Sequence, residues 1–380
     1  MSELKEYRLS NLMQIKYGKD HKHLADGVYP LYGSGGIMRF VEKPLYEEES
    51  ILIPRKGTLS NLFYLDQPFW SVDTMFYSKI NKELVLPKYL FYTLKTYDLA
   101  SLNVGSAVPS LTTEVLNEVL ISIPDFPTQT AIAEILSSLD DKIELNNKIN
   151  QELETLAQTI FKQWFIDFEF PNENGESYKS SGGEMVDSAL GEIPKGWRAN
   201  KLNEIANCFD SKRIPLSSME RNIRKGAYPY YGAASLMDYI DDYIFDGIYL
   251  LMGEDGSVID NKGFPILQYV FEKFWVNNHA HVLQGRKVST ELIMCLLRNT
   301  NIEDLVTGAV QPKLNQGNMN KISLALPNDI NFIKTFENLI SEYYDLVRNN
   351  IIETNELITL RDTLLPKLIS GELEINEISN

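Results

Sequence analysis

The chain is short of cysteine, of basic charge and of long apolar runs, and each shortage closes a class of function. Two cysteines in 380 residues, Cys208 and Cys295, cannot build a disulfide framework, nor a zinc site by themselves. That fits a reducing, cytoplasmic setting. No stretch approaches the ~18 consecutive apolar residues of a membrane span, and the residues after Met1 are polar, so neither a signal peptide nor a membrane partner is expected. Lys and Arg number 36 against 52 Asp and Glu, a net charge of −16, which argues at first against a nucleic-acid binder.

The distribution of that charge changes what it implies. Residues 1–127 carry only −2 and residues 196–327 are neutral, whereas 128–170 carry −5, 171–195 carry −3 and 328–380 carry −6. Two near-neutral segments alternate with two acidic ones. Such a spine suits basic partner proteins and makes strong unaided DNA binding unexpected, without excluding DNA contact by the neutral segments.

Catalytic signatures are missing as well. There is no GxxxxGK[ST] phosphate loop and no Asn/Asp-Pro-Pro-aromatic motif of amino-methyltransferases. "YGSGG" (32–36) is not GxGxxG and reads as a strand-to-strand turn. The only Glu-x-Lys is Glu3-Leu4-Lys5, with no acidic residue ahead of it for a nuclease centre. His279-Ala280-His281 places two imidazoles on one strand face, a conceivable metal pair, but no third ligand lies nearby in sequence. Neither a catalytic residue nor a metal site is expected.

What is present is a repeat. "YPLYGSGG" (29–36) answers "YPYYGAAS" (228–235) at an offset of 199, and Phe69-Trp70 answers Phe274-Trp275. "GSAVPSL" (105–111) pairs with "GAVQPKL" (308–314), and "YRLSNL" (7–12) with "WRANKL" (197–202). Short runs of aromatic and β-branched residues between turn signals indicate strands. "PKYLFYTLKTYDL" (87–99) and "STELIMCLLRNT" (289–300) add helices, making each module α+β. A polar stretch, 171–184, reads as a loop.

After each module comes a helical stripe stepping 4-3-4-3. The first runs Ile132, Leu136, Leu139, Ile143, Asn146, Asn150, Leu153, Ala157, Ile160, Trp164. Adding 204 gives the second: Phe336, Ile340, Tyr343, Val347, Asn350, Thr354, Leu357, Arg361, Leu364, Leu368. Sustained spacing of this kind indicates a coiled coil. The competing reading is two separate amphipathic helices, each covering its own module. Duplication implies pseudo-two-fold symmetry and hence antiparallel helices, so Asn146 is expected to face Asn350, flanked by Asn150 and Thr354. Buried amides of this kind fix register at some cost in stability; the alternative is that they face solvent.

With the repeat in view, "IPDFPTQTAIAEILSSLDDKIELNNKINQELETLAQTIFKQWFIDFE" (123–169) resembles the first central helix of the specificity subunits of type I restriction–modification enzymes. "LITLRDTLLPKLISGEL" (357–373) resembles their C-terminal helix, and the GSAVPSL and GAVQPKL stretches the ends of their target-recognition domains. The second helix lacks the Pro124-x-x-x-x-Gln129-x-x-Ile132-Ala133 opening of the first. The resemblance implies an α+β protein of two pseudo-symmetric target-recognition domains joined by two long antiparallel coiled-coil helices. The segments are then domain 1 at 1–127, a spacer helix at 128–170, a linker at 171–195, domain 2 at 196–327 and a C-terminal spacer helix at 328–373. It implies no catalysis by the chain and no cofactor of its own. Each domain reads half of a split, asymmetric site in double-stranded DNA, while the helices set the gap and hold two methyltransferase subunits. Those partners use S-adenosylmethionine to methylate adenine at N6, and restriction (motor-nuclease) subunits add ATP-dependent cleavage.

Base readout needs donors and acceptors on a loop. The first module offers "PRKGTLSN" (54–61): Arg55 and Lys56 for phosphate or guanine, and Thr58, Ser60 and Asn61 for base edges. Ser34 and Ser106 sit in nearby glycine turns. In the second module Glu254, Asp255 and Ser257 occupy the equivalent loop, where carboxylates suit cytosine N4, with Lys262, Gln311 and Lys313 as further candidates. The alternative for each is a solvated turn residue, and for the whole chain a two-module coiled-coil adaptor that reads no DNA.

Overall fold

The computed structural model describes residues 4–105, 109–308 and 310–375. Ser106 lies outside the described residues. By its internal contacts the chain forms two units: Met1–Asn146 with Glu353–Asn380, and Asn147–Ile352. Each unit thus holds one module and one half of each long helix.

The repeat is realised strand for strand. In the first module a four-stranded antiparallel sheet runs in the order Met13–Tyr17, Met75–Ile80, Ser50–Pro54, Phe63–Leu65. A three-stranded sheet orders Gly36–Val41, Asp26–Gly33 and Trp70–Ser71, the last pairing parallel. The opening strand Lys5–Arg8 pairs with the closing strand Leu120–Ile123. The second module repeats this plan with Ala206–Cys208, Ala280–Gly285, Tyr249–Gly253 and Leu267–Val270. Its three-stranded sheet is Leu236–Ile240, Lys225–Tyr231 and Trp275–Val276, and Trp197–Lys201 pairs with Ser323–Pro327.

The central strand of each larger sheet is buried on both faces, and the strand period of two divides its residues between two cores. Ile51 and Ile53 join Tyr89 and Leu90 of the helix Pro87–Lys95, while Leu52 points to Leu31 and Trp70 of the smaller sheet. Leu250 and Met252 likewise join Ile293 and Leu297 of the helix Thr290–Arg298, and Leu251 joins Phe274 and Val276.

The long helices are Phe126–Phe161 and Ile330–Ser370, about 54 and 62 Å at 1.5 Å per residue. Each starts at an aspartate cap: Asp125 accepts from the Thr128 amide at 3.0 Å and Asp329 from the Asn331 amide at 2.8 Å, satisfying orphan donors of the first turn. The first helix continues through a π-helical turn, Lys162–Ile166, and the chain then reverses at Phe168, whose φ is 58°. In the linker the structure adds a hairpin, Met185–Ser188 with Gly191–Pro194; Gly191 at φ +90° supplies the left-handed residue its turn requires.

Every residue of both stripes is buried or half-buried. Within the first unit Asn146 donates to Glu353 at 2.8 Å and reaches the Thr354 hydroxyl at 3.4 Å, and Arg361 pairs with Asp140 at 2.7 Å. Within the second unit Asn350 donates to Asn150 at 2.9 Å. Rising numbers on one helix meet falling numbers on the other, so the helices pair antiparallel in each unit. The expectation that Asn146 faces Asn350 is corrected: Asn146 meets Thr354, and Asn150 meets Asn350. The reason lies in the spacing. Setting Asn146 opposite Asn350 places the four-residue interval 146–150 beside the three-residue interval 347–350, so every second layer is one residue out of step. Asn146 opposite Thr354 sets four beside four, and three beside three, along the whole length.

Candidate nucleic-acid interface

The loops expected to read bases share one backbone frame. In the first module the Arg55 and Lys56 amides donate to the Thr74 carbonyl, Gly57 to Pro109 and Leu111 to Arg55. In the second the Glu254 and Asp255 amides donate to His279, Gly256 to Pro312 and Leu314 to Glu254. Each loop is thereby tied both to the turn before a central strand and to the segment leading to the module's closing strand. At the repeat offset of 199, Arg55 becomes Glu254, Lys56 becomes Asp255 and Gly57 becomes Gly256. Gly57 and Gly256 hold φ of +92° and +83°, a conformation that disfavours other residues.

On this common frame the side chains diverge. Arg55 lies over the ring of Tyr17, 5.2 Å from its centroid, and its Nη1 approaches the Asp73 carbonyl at 3.4 Å. Tyr17 in turn rests edge-on against buried Phe76. Lys56, Thr58 and Ser60 are exposed, and half-buried Asn61 donates to the Ser34 carbonyl at 2.9 Å, bringing the 54–61 loop and the glycine turn together. Asn61 and Ser34 therefore converge, while Arg55 turns to Tyr17 and Asp73.

In the second module Glu254 accepts from Arg213 at 2.6 Å, and Arg213 also faces Asp210 at 3.4 Å. Buried His281 occupies the strand position that Phe76 holds in the first module. Its Nδ1 lies 2.5 Å from Asp210 and its Nε2 2.7 Å from the Leu314 carbonyl. Burial acts to raise the Asp210 carboxyl, but His281, the Val282 amide and Arg213 more than offset it and hold Asp210 below the ordinary carboxylate range. Glu254 is thus bound into an ionic support and is less available to a base than the sequence suggests. Asp255 accepts from Gln311 at 2.8 Å and sits 3.6 Å from His279. Ser257, Lys262, Gln311 and Lys313 are exposed, and Lys313 bridges by its backbone to Asp255 and Thr307.

His279 and His281 do not share a partner: one faces Asp255, the other Asp210. Cys208, Asp210 and His281 offer ligand atoms within 4.8 Å of one another. Both ring nitrogens of His281 already meet acceptors, however, and burial pushes the Cys208 thiol up to about 12. This is the chemistry of a charged support under the loop. Sequence reasoning misses Tyr17 and Asp73 in one module and Asp210 and Arg213 in the other. The repeat offset aligns the loops, but these neighbours arrive from other strands and turns that only pairing brings close.

Acceptors in one loop and cations in the other, on the same frame, suit two unlike sequences rather than one. The family model for the type I restriction modification DNA specificity domain matches residues 1–155 and 194–354. The chain belongs to that family. It is 29% identical to the type I restriction enzyme MjaIX specificity subunit of Methanocaldococcus jannaschii, across 94% of this chain and 86% of that one. To the HindI specificity subunit of Haemophilus influenzae it is 23% identical, across 77% and 79%. The crystal structure of the type I S subunit from M. genitalium superposes with a TM-score of 0.66 at 16% identity, covering 97% of this chain and 96% of the other, a likeness of fold. As a member of the specificity family the chain serves DNA sequence specificity and not catalysis, and it works in assembly with other subunits and DNA. No helix among the described residues is long and apolar enough to cross a membrane.

Proposed function

We propose that each module reads one half of a split, asymmetric site in double-stranded DNA, while the paired helices set the gap and hold two methyltransferase subunits. On this reading the partners bring S-adenosylmethionine and methylate adenine at N6, and restriction subunits bring ATP-driven cleavage, in the cytoplasm. The observation that carries the proposal is the pair of loops with one backbone frame and opposite charge: Arg55-Lys56-Gly57 against Glu254-Asp255-Gly256. A cationic loop offers donors to guanine and phosphate, whereas a carboxylate accepts from an amino group of cytosine. The acidic helices support a division of labour in which the partners supply the cations that surround phosphate.

The test is to co-express the chain with the methyltransferase encoded beside it and map methylated adenines in the host, with and without this gene. A bipartite motif with two different halves and a constant gap is expected. Absence of any gene-dependent motif would overturn the proposal and leave the adaptor reading, which the net charge of −16 favours.

A further inference from the structure

The first module carries a concavity of about 550 Å³ beside its reading loop, walled by the Gly33–Met38 turn, by Val72–Thr74 and by His21. We infer that this concavity admits the amino-bearing edge of one target base, with Asp73 as the specificity-determining acceptor and Gly35 keeping the entrance open. The inference rests on the proposed function and adds residues to it.

Three observations carry it. Gly35 has no internal reason to be glycine: its backbone is outside the left-handed region, and a Cβ there would meet nothing within 4 Å. A glycine without such a need leaves room for a close approach from outside. The equivalent residue in the second module is Ala234, so the two turns differ by a methyl group at this wall.

Second, the walls are held in place. Asn61 ties the turn to the reading loop through the Ser34 carbonyl. Arg55, set over Tyr17, reaches the Asp73 carbonyl of one wall. Arg39 grips the His21 carbonyl at 2.8 Å, and its other nitrogen pairs with Asp26. Fixed walls are what a recognition site needs.

Third, polar groups here are uncommitted. The Asp73 carboxylate is exposed and has no hydrogen bond or ion pair among the described residues. The Nδ1 of His21 is buried without a partner among them. An ionised carboxylate only accepts, so in the major groove it selects an exocyclic amino group, cytosine N4 or adenine N6, over the carbonyl oxygens of guanine and thymine.

The experiment uses the chain co-purified with its methyltransferase, and duplexes in which each position of the mapped motif is replaced in turn. D73N keeps the shape but adds a donor, so it should change base preference roughly tenfold or more at one position of one half-site. G35A, which installs the residue of the second module, should weaken binding through that same half-site, with the other half-site read as before. Unchanged preferences in both variants would overturn the inference. So would weakening that is uniform across all duplexes, or altered preference in both halves. A parent complex with no bipartite motif would instead overturn the proposed function itself, before any variant is made.

Discussion

The two modules have the same strands in the same order, yet their charges are reversed at matching places. Arg39 pairs with Asp26 across the first module's hairpin at 2.8 Å. At the equivalent positions of the second, Asp238 pairs with Lys225 at 2.5 Å. Arg55 and Lys56 become Glu254 and Asp255. Beneath the loops, Tyr17 and Phe76 of one module become Asp210 and His281 of the other. An apolar, cation–π support in the first has become an ionic support in the second. The frame tolerates either chemistry, since Arg55 and Glu254 each find their support inside their own module. A duplicated fold can then diverge in what it reads without losing what it is.

The largest expected effect tests that difference in support. Arg213 is nearly buried between Asp210 and Glu254, so R213A removes a guanidinium that both carboxylates face. Breaking a buried pair in this way costs about 3–5 kcal/mol. Arg55 is only half-buried, and R55A should cost about 1 kcal/mol or less. Urea midpoints at constant slope measure both; equal losses would erase the distinction between the modules.

Next comes the helix pair. Asn150 and Asn350 share a hydrogen bond in a half-buried layer, and a double-mutant cycle to alanine should give a coupling of about 1 kcal/mol. Additive losses would contradict the register described above.

The smallest effect is acid dependence. The folded carboxyl of Asp210 lies below its ordinary value, so its contribution is whole above an unfolded pKa of ~3.9 and is lost as pH falls through that value toward the folded one. D210N should flatten the loss of stability of the second unit below about pH 4. The first module has Tyr17 at this place and should show no such component. Identical acid slopes for parent and D210N would remove Asp210 from the ionic support.

Much of this architecture was legible in the sequence. The 4-3 stripe and the repeated Tyr-Pro-x-Tyr strands obey local rules of spacing. The register was legible too, since matching four-residue with four-residue intervals pairs Asn146 with Thr354; reasoning from symmetry alone misses it. The supports under the loops were not legible. That Tyr17 carries Arg55, or that Arg213 neutralises Glu254, depends on strand pairing between distant segments. The linker hairpin was not legible because each of its strands is only four residues long, too short for a clear alternation.

The central claim is that one frame presents two unlike readings, each confined to its own module. It is tested most directly by mapping methylated adenines in hosts that carry, with the partner methyltransferase, the parent chain, R55A or D255A. The expected result is that R55A alters the letters of one half-site only, D255A those of the other only, and that the gap is constant in all three. A single substitution that altered both half-sites, or two substitutions that altered the same one, would contradict it.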